Sequence, residues 1–408
     1  MSEVFITGIG PVAPNGIGKE DFWQALKTGR SGIRRITRFD NSKYPEQIGG
    51  EIPREWFAER EPFSDSGSRS WSAHLLVQAA RLALEDAELS KDEFRSYAPG
   101  IWAGISTNDA EMVERELDFF RETASPRSYL LGSSPHAAAS EIAAELKCSG
   151  KVVTLSTGCS SGIVGIAYAA EAIQNGEVTI ALAGGGDGTL TPFVMSSFCE
   201  AGMIPLFPGD HEDDPESYCK PFDLNRNGGI MAEGAGMVVL ASSEIRSKRY
   251  VGDGVTLCGW GISNAFSYKE TKKAFVTSMK EALKKANLIP EMIDHISAHA
   301  PGLKLLDAEE TRAIKELFGN HAYNIPVTSI KSMIGNPLAG AGPLQLIATV
   351  QAIKHKFIPP TTNYQNPDPK CDLDCVPNEG RNCRVRKALI NSFGIGGSVV
   401  SIVISEVI

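Results

Sequence analysis

The sequence predicts a layered α/β protein built from two halves that repeat one another. Two observations carry this. Short β-branched runs alternate with Ala-rich helical stretches along all 408 residues, which calls for a largely parallel sheet covered by helices. The order of elements in residues 1–250 then recurs in residues 251–408, with insertions, as an internal duplication would leave it.

The elements follow in order. Val4-Phe5-Ile6-Thr7 reads as a strand ending at Gly8. Residues 71–89 read as a helix, with Leu75, Leu76, Ala79 and Leu82 on its apolar face. Residues 101–105 and 152–155 read as buried strands. The helix 163–173 follows, stopped by Asn175-Gly176, and then the strand 179–183. In the second half, 255–259 echoes the opening strand and the helix 279–288 echoes the end of 71–89. Segments 295–299 and 325–330 fall where 101–105 and 152–156 fell. The turn Ala339-Gly340-Ala341-Gly342 then opens a helix through Ile353. Residues 245–251, with Arg246, Lys248 and Arg249, read as a short basic linker joining the halves.

Bulk properties exclude several functions. The chain has 42% hydrophobic and 22% charged residues, ordinary for a globular protein. No stretch approaches the roughly 18 consecutive apolar residues of a membrane span. The first residues lack a basic region followed by an apolar stretch, so a cytoplasmic location is expected. A net charge of −9 argues against nucleic acid and anionic membrane partners. Eight cysteines are scattered, and only Cys371, Cys375 and Cys383 group. That spacing is not a paired C-x-x-C and has no nearby His, so unlinked thiols are expected rather than a metal site.

Duplication has a mechanistic consequence. Equivalent strand-to-helix turns from the two halves would face one crevice at the carboxyl ends of central strands. Cys159, His299 and Asn336 all stand at or just beyond such ends. Cys159 lies in Ser156-Thr157-Gly158-Cys159-Ser160-Ser161-Gly162, a small-residue turn opening a helix. A helix N-terminus favours a thiolate, and a sharp turn projects the side chain. The alternative is a small core cysteine, which the surrounding Gly and Ser explain poorly. His299 could polarise a thioester carbonyl, take a thiol proton, or be a structural histidine. Asn336 could donate its amide to an oxygen, or simply form an Asn-Pro turn. Lys331 is a surface charge or an internal partner of Glu310. The Gly-rich loop Asn391-Ser392-Phe393-Gly394-Ile395-Gly396-Gly397 is a connecting turn, or donates a backbone N–H to an oxyanion.

Together these segments resemble the elongating β-ketoacyl-acyl-carrier-protein synthases. The resemblance runs through residues 4–10 and 156–162, then Pro221-Phe222-Asp223 with Arg226, Gly228 and Glu233-Gly234-Ala235-Gly236. It continues through Ala298-His299 with Asp307 and Glu310, then Lys331-Ser332-Met333 with Gly335. It closes with 338–342, 363–369 and Asn391-Ser392-Phe393-Gly394. It implies a thiolase-like fold in α/β/α/β/α layers and no cofactor. It also implies a homodimer, or a heterodimer with another ketosynthase-like subunit. Cys159 matches the acyl-accepting nucleophile, His299 the first catalytic histidine, and Lys331 with Glu310 a supporting ion pair. The backbone N–H groups of Cys159 and Ile395 match the oxyanion hole, and Phe393 and Ile395 the gate of the acyl pocket. The implied substrates are acyl and malonyl thioesters on acyl carrier protein or coenzyme A. The implied reaction is decarboxylative Claisen condensation in fatty acid or polyketide-type biosynthesis.

The chain departs from the family's pattern in several places. Asn336 replaces a second histidine, and Ala300-Pro301-Gly302-Leu303 replaces a Gly-Thr-x-Thr stretch that holds the pantetheine arm. Ile395 replaces a gating Phe, and Asp65-Ser66-Gly67-Ser68 replaces basic residues. The acidic His211-Glu212-Asp213-Asp214 would repel an acidic carrier, or is a plain surface loop. Two alternatives to condensation follow: transfer to a non-malonyl acceptor, or a partner subunit of the chain-length-factor kind. Pocket size is expected to depend on packing across the dimer, including residues 127–139.

Overall fold

The computed structural model describes residues 3–39, 48–58, 69–107, 109–125, 132–188, 190–205, 214–249 and 254–407. Ten of the described strands form one hydrogen-bonded path. They are β1 (Val4–Ala13), β2 (Gly100–Gly104), β3 (Val152–Leu155), β4 (Ile180–Asp187), β5 (Gly234–Ser242), β6 (Val255–Asn264), β7 (His295–Ser297), β8 (Val327–Thr328), β9 (Lys387–Phe393) and β10 (Ser398–Glu406). Their order is β8-β7-β9-β10-β6-β1-β5-β4-β2-β3. Read outward from the β6–β1 seam, both halves run in the same order, with the same alternation of pairing direction. At the seam Val4, Phe5 and Ile6 pair antiparallel with Leu257, Thr256 and Val255.

The sheet is mixed rather than largely parallel. β2 is parallel to β3 and β4, and β7 to β8 and β9, while the remaining pairs along the path are antiparallel. In each half the chain turns back beside the strand it has just completed, β4 to β5 and β9 to β10. Apolar runs report burial of a strand, not the direction of its neighbour.

Six of the described helices build the main layers: α1 (Trp71–Asp86), α2 (Ala137–Leu146), α3 (Ser161–Gln174), α4 (Thr271–Ala286), α5 (Lys304–Phe318) and α6 (Ala341–His355). Ser70 caps α1, its side chain accepting from the Ala73 N–H. α1 and α2 cover the outer face of the first half, α4 and α5 that of the second, and α3 and α6 lie between the halves. Apolar clusters follow the same division, and the largest joins Ile163, Ile166, Leu344 and Ile347 with Val238 and Ile402 from the two halves. α3 and α6 are apolar nearly all round, as helices with no solvent face must be. Gly162 permits their approach: a Cβ there would lie 2.3 Å from the Ala339 carbonyl oxygen and 2.6 Å from Pro343 Cγ.

The expected basic linker is instead helical over Ser243–Arg249, because Ile245 buries against the first-half core. The boundary at 250/251 lies outside the described residues, as do 65–68, 127–131 and 211–213. All eight cysteines are free, and Cys371 and Cys375 sit buried in the outer apolar core of the second half. Among the described residues no helix is long and apolar enough to cross a membrane. Nor, among them, do three or more His, Cys, Asp or Glu side chains group to hold a metal.

Candidate active site

β3 delivers the chain to Gly158, whose φ of +67° turns it sharply into α3. A side chain at Gly158 would meet the backbone of Ile395, at 2.7 Å from its oxygen and 2.8 Å from its nitrogen. Hydroxyls lock this turn. The Thr157 N–H donates to Ser161 Oγ at 2.8 Å, and Ser160 Oγ donates to the Thr157 carbonyl at 2.9 Å. Ser160 Oγ also reaches Ser398 Oγ at 3.0 Å, tying the turn to the start of β10 in the other half. Cys159 is thereby held 4% exposed, just before the first turn of α3.

Burial pushes the Cys159 thiol up to about 11. The Ile395 N–H, the Lys331 charge and the Asn336 amide pull it down, and Asp187 pushes it up. The thiolate expected from the helix N-terminus is therefore outweighed by desolvation, and the resting group is the protonated thiol.

His299 stands beyond the end of β7 and is 2% exposed. Its ring Nδ1 accepts the Phe393 N–H at 3.1 Å. A backbone amide can only donate, so Nδ1 is bare and Nε2 carries the proton. Burial, then the Lys331 charge, holds the imidazole well below its usual pKa, so it stays neutral. His295, at the start of the strand, is buried against Thr328 Oγ1 at 2.9 Å.

Lys331 and Glu310 do not form the direct ion pair expected of them. Both are fully buried and each feels the other's charge, but their hydrogen bonds go elsewhere. They instead hold opposite sides of the His299 backbone. Lys331 Nζ donates to the His299 carbonyl at 2.6 Å, while Glu310 accepts from the His299 and Ala300 N–H groups, each at 2.9 Å. Burial lowers Lys331 to about 8, the Glu310 charge opposing it. The same burial raises Glu310.

Gln345 and Asp187 carried no signal read from the sequence, and Asn391 was read only as part of the Gly-rich loop. Gln345, in the middle of α6, accepts from Lys331 Nζ at 2.8 Å and donates to the Ala298 carbonyl at 2.7 Å and the Asn391 carbonyl at 3.2 Å. Asn391 donates to Glu310 at 3.0 Å. Asp187, at the end of β4, accepts from the N–H groups of Ala339, Ser106 and Thr107. A polar side chain set among Pro343, Leu344, Leu346 and Ile347 was the available signal for Gln345.

Asn336 is fixed by its backbone, donating to the Ile230 carbonyl at 2.7 Å and accepting from Ala232 at 3.2 Å. Its buried Oδ1 has no protein partner. Cys159, His299, Asn336, Phe393 and Ile395 line one pocket, as do Pro301 and Leu303. Its lining is mostly apolar, and Ile395 and Tyr268, 43% and 60% exposed, mark its mouth.

"Beta-ketoacyl synthase, N-terminal domain" matches residues 1–245, and "Beta-ketoacyl synthase, C-terminal domain" matches residues 255–365. The chain is 33% identical to the 3-oxoacyl-[acyl-carrier-protein] synthase 2 of Coxiella burnetii, over 99% of this chain and 98% of that one. It is also 33% identical to the tetracenomycin polyketide synthase ketoacyl synthase alpha subunit of Streptomyces glaucescens, over 97% and 95%. Among solved structures, the ishigamide ketosynthase/chain length factor superposes with a TM-score of 0.89 at 29% identity, covering 99% of both chains. A type II PKS ketosynthase, solved in complex with its acyl-carrier protein and bound to the hexaketide, superposes with a TM-score of 0.89 at 28% identity over all of both chains.

Proposed function

Because the chain belongs to the β-ketoacyl synthase family, an acyl-transferring, thiolase-like group, we propose that it condenses an acyl group held on Cys159 with a malonyl thioester. The observation that carries this reading is the convergence of Cys159, a neutral His299 with its proton on Nε2, and Asn336 on one pocket. The units contributing to it are 1–250, with the thiol, and 251–408, with His299 and Asn336.

In the first half-reaction Cys159 Sγ forms a bond to the carbonyl carbon of an acyl thioester carried on acyl carrier protein or coenzyme A. The negative charge on oxygen is met by the N–H groups of Cys159 and Ile395. Collapse expels the donor's thiol, which takes the proton Cys159 gave up. In the second, the malonyl thioester loses carbon dioxide. His299 Nε2–H and the Asn336 amide donate to the enolate oxygen, and its carbon attacks the acyl carbonyl. The C–S bond breaks, the Cys159 thiolate takes a proton from water, and a 3-oxoacyl thioester leaves. Lys331 and Glu310 hold the His299 backbone throughout, and Phe393 and Ile395 form the wall an acyl chain passes.

We read the protein as a homodimer. Strand β3 ends the sheet with Val152 39% exposed, and the helix Ala110–Thr123, which follows β2 in the chain, leaves Val113, Leu117 and Phe120 exposed. Both features suit a second copy.

The test is intact mass after incubation with an acyl thioester, then product analysis after malonyl thioester. An acyl adduct absent from Cys159→Ala, followed by carbon dioxide and a 3-oxoacyl product, is expected. A second reading keeps the adduct and changes the acceptor to an amine or alcohol. Pro301 and Leu303 favour it, since neither offers a hydroxyl to an incoming arm. An adduct that forms with no new carbon–carbon bond selects it, and no adduct selects a non-catalytic partner subunit.

A further inference from the structure

A second cleft opens on the first half, away from the chemistry. Asn15, Asp21, Arg30, Ser31, Arg34 and Trp56 line it, and it encloses about 490 Å³, a volume suited to a small molecule. It shares no lining residue with the Cys159 pocket. Close packing builds its wall. A Cβ at Gly32 would lie 2.3 Å from the Pro14 carbonyl carbon, so residues 30–34 press directly on 14–16. That contact holds two guanidiniums on consecutive carbonyls. Arg30 Nη2 donates to the Asn15 carbonyl at 2.9 Å, and Arg34 Nη2 to the Pro14 carbonyl at 2.7 Å. Arg34 Nε adds a bond to the Gly32 carbonyl at 3.3 Å. A guanidinium has five N–H donors, so both keep some for a ligand. Two guanidiniums against the one carboxylate of Asp21 leave the cleft positive, on a chain of net charge −9. Trp56 is 40% exposed, with the Arg34 guanidinium 5.7 Å from its ring centroid. Asn15 is 4% exposed, and its Nδ2 donates to the Arg30 carbonyl at 3.3 Å. Its buried Oδ1 has no protein partner and calls for a donor.

We propose that this cleft binds a nucleoside monophosphate, with the phosphate on Arg30 and Arg34 and the base against Trp56. Paired guanidiniums match phosphate oxygens in geometry as well as charge. An exposed indole beside a cation offers a base a flat surface to stack on. Asp21 and Asn15 Oδ1 accept, and so suit sugar hydroxyls or a base N–H. Each simpler ligand leaves part of the lining unmatched. A bare anion leaves the Trp56 ring uncovered and faces Asp21, while a neutral ring leaves two guanidiniums without a counter-charge. The site is independent of the reading of Cys159.

The experiment is titration calorimetry on the full chain with four probes: adenosine 5′-monophosphate, ribose 5-phosphate, adenosine and inorganic phosphate. The nucleotide should bind saturably at one site per chain, with half-saturation below about 1 mM. The other three should each bind at least about tenfold more weakly, since each lacks the ring or the phosphate. Arg30→Gln/Arg34→Gln should lose at least about tenfold in nucleotide affinity. Arg34 also ties down the Pro14 carbonyl, so a second variant is read beside it. Trp56→Ala alters an exposed ring, and should bind the nucleotide no better than ribose 5-phosphate. Arg312→Gln, on α5 and paired with Glu309, is the control and should bind as the native chain does. Thermal unfolding of each variant shows that the fold is kept. No saturable binding of the nucleotide would overturn the proposal. So would equal affinity for inorganic phosphate, or a Trp56→Ala chain that still prefers the nucleotide to ribose 5-phosphate as the native chain does.

Discussion

The two halves solve the same turn differently. In the first, β3 passes to α3 through a few small residues, held by hydroxyls and by one left-handed glycine, and the turn presents a sulfur. In the second, β8 passes to α6 through a longer path that includes the short helix Lys331–Ile334 and a further turn at Leu338–Gly340. That path presents a buried ammonium and an amide instead. The contrast teaches how a duplicated fold divides labour. The short turn is rigid and places one atom, while the longer turn has room for the polar groups that act on oxygen. Gln345 and Asp187 then fasten the long turn, each bonded to its backbone or to its lysine.

The largest effect should come from stiffening the short turn wrongly. Gly158→Ala puts a methyl against the Ile395 backbone and forces an L residue to φ +67°. The left-handed backbone alone costs about 1–2 kcal/mol. Acyl loading should fall by about a hundredfold or more, with a lowered Tm, and native loading in this variant would break the comparison. Next is the fastening of the long turn. Gln345→Leu leaves the Lys331 ammonium with the His299 carbonyl and strips partners from the Ala298 carbonyl. A loss of about 3 kcal/mol is expected in denaturant unfolding.

Gln345→Glu sharpens the same point with pH. Lys331 sits at about 8, so its charge is lost as pH rises through that value. A second carboxylate beside it favours the charged form and raises that value. Condensation on preloaded protein should therefore decline above about pH 8 in the native chain and persist to higher pH in Gln345→Glu. An unmoved alkaline limb would remove Lys331 from the chemistry. The smallest effect belongs to Ser160→Ala, which loses its bonds to the Thr157 carbonyl and Ser398 and should cost about 1 kcal/mol in thermal unfolding.

Much of this arrangement was legible before the fold was. Glycine and serine around Cys159 announce a tight turn because few other uses fit them. Alternating runs announce strands and helices, and their recurrence announces two halves. Pairing direction was not legible, since a buried strand looks alike beside either kind of neighbour. The relation of Lys331 to Glu310 was not legible either. Opposite charges at a distance in sequence suggest contact, and only three dimensions place a peptide bond between them. Gln345 escaped because helical periodicity treats one polar residue in an apolar stretch as noise, while in the fold it touches two strand ends and a lysine.

The seam between Val4–Ile6 and 255–257 bears on how the protein folds. It makes the two halves a single sheet, and α3 and α6 are each covered only when the other half is present. Neither half expressed alone would be a finished domain. It would show an unpaired strand on one side and a bare, almost wholly apolar helix on one face, both of them aggregation templates. The duplication that supplied two turns thus also removed the independence of the parts, and hydrogen exchange at Phe5 and Thr256 should follow global unfolding rather than the opening of either half.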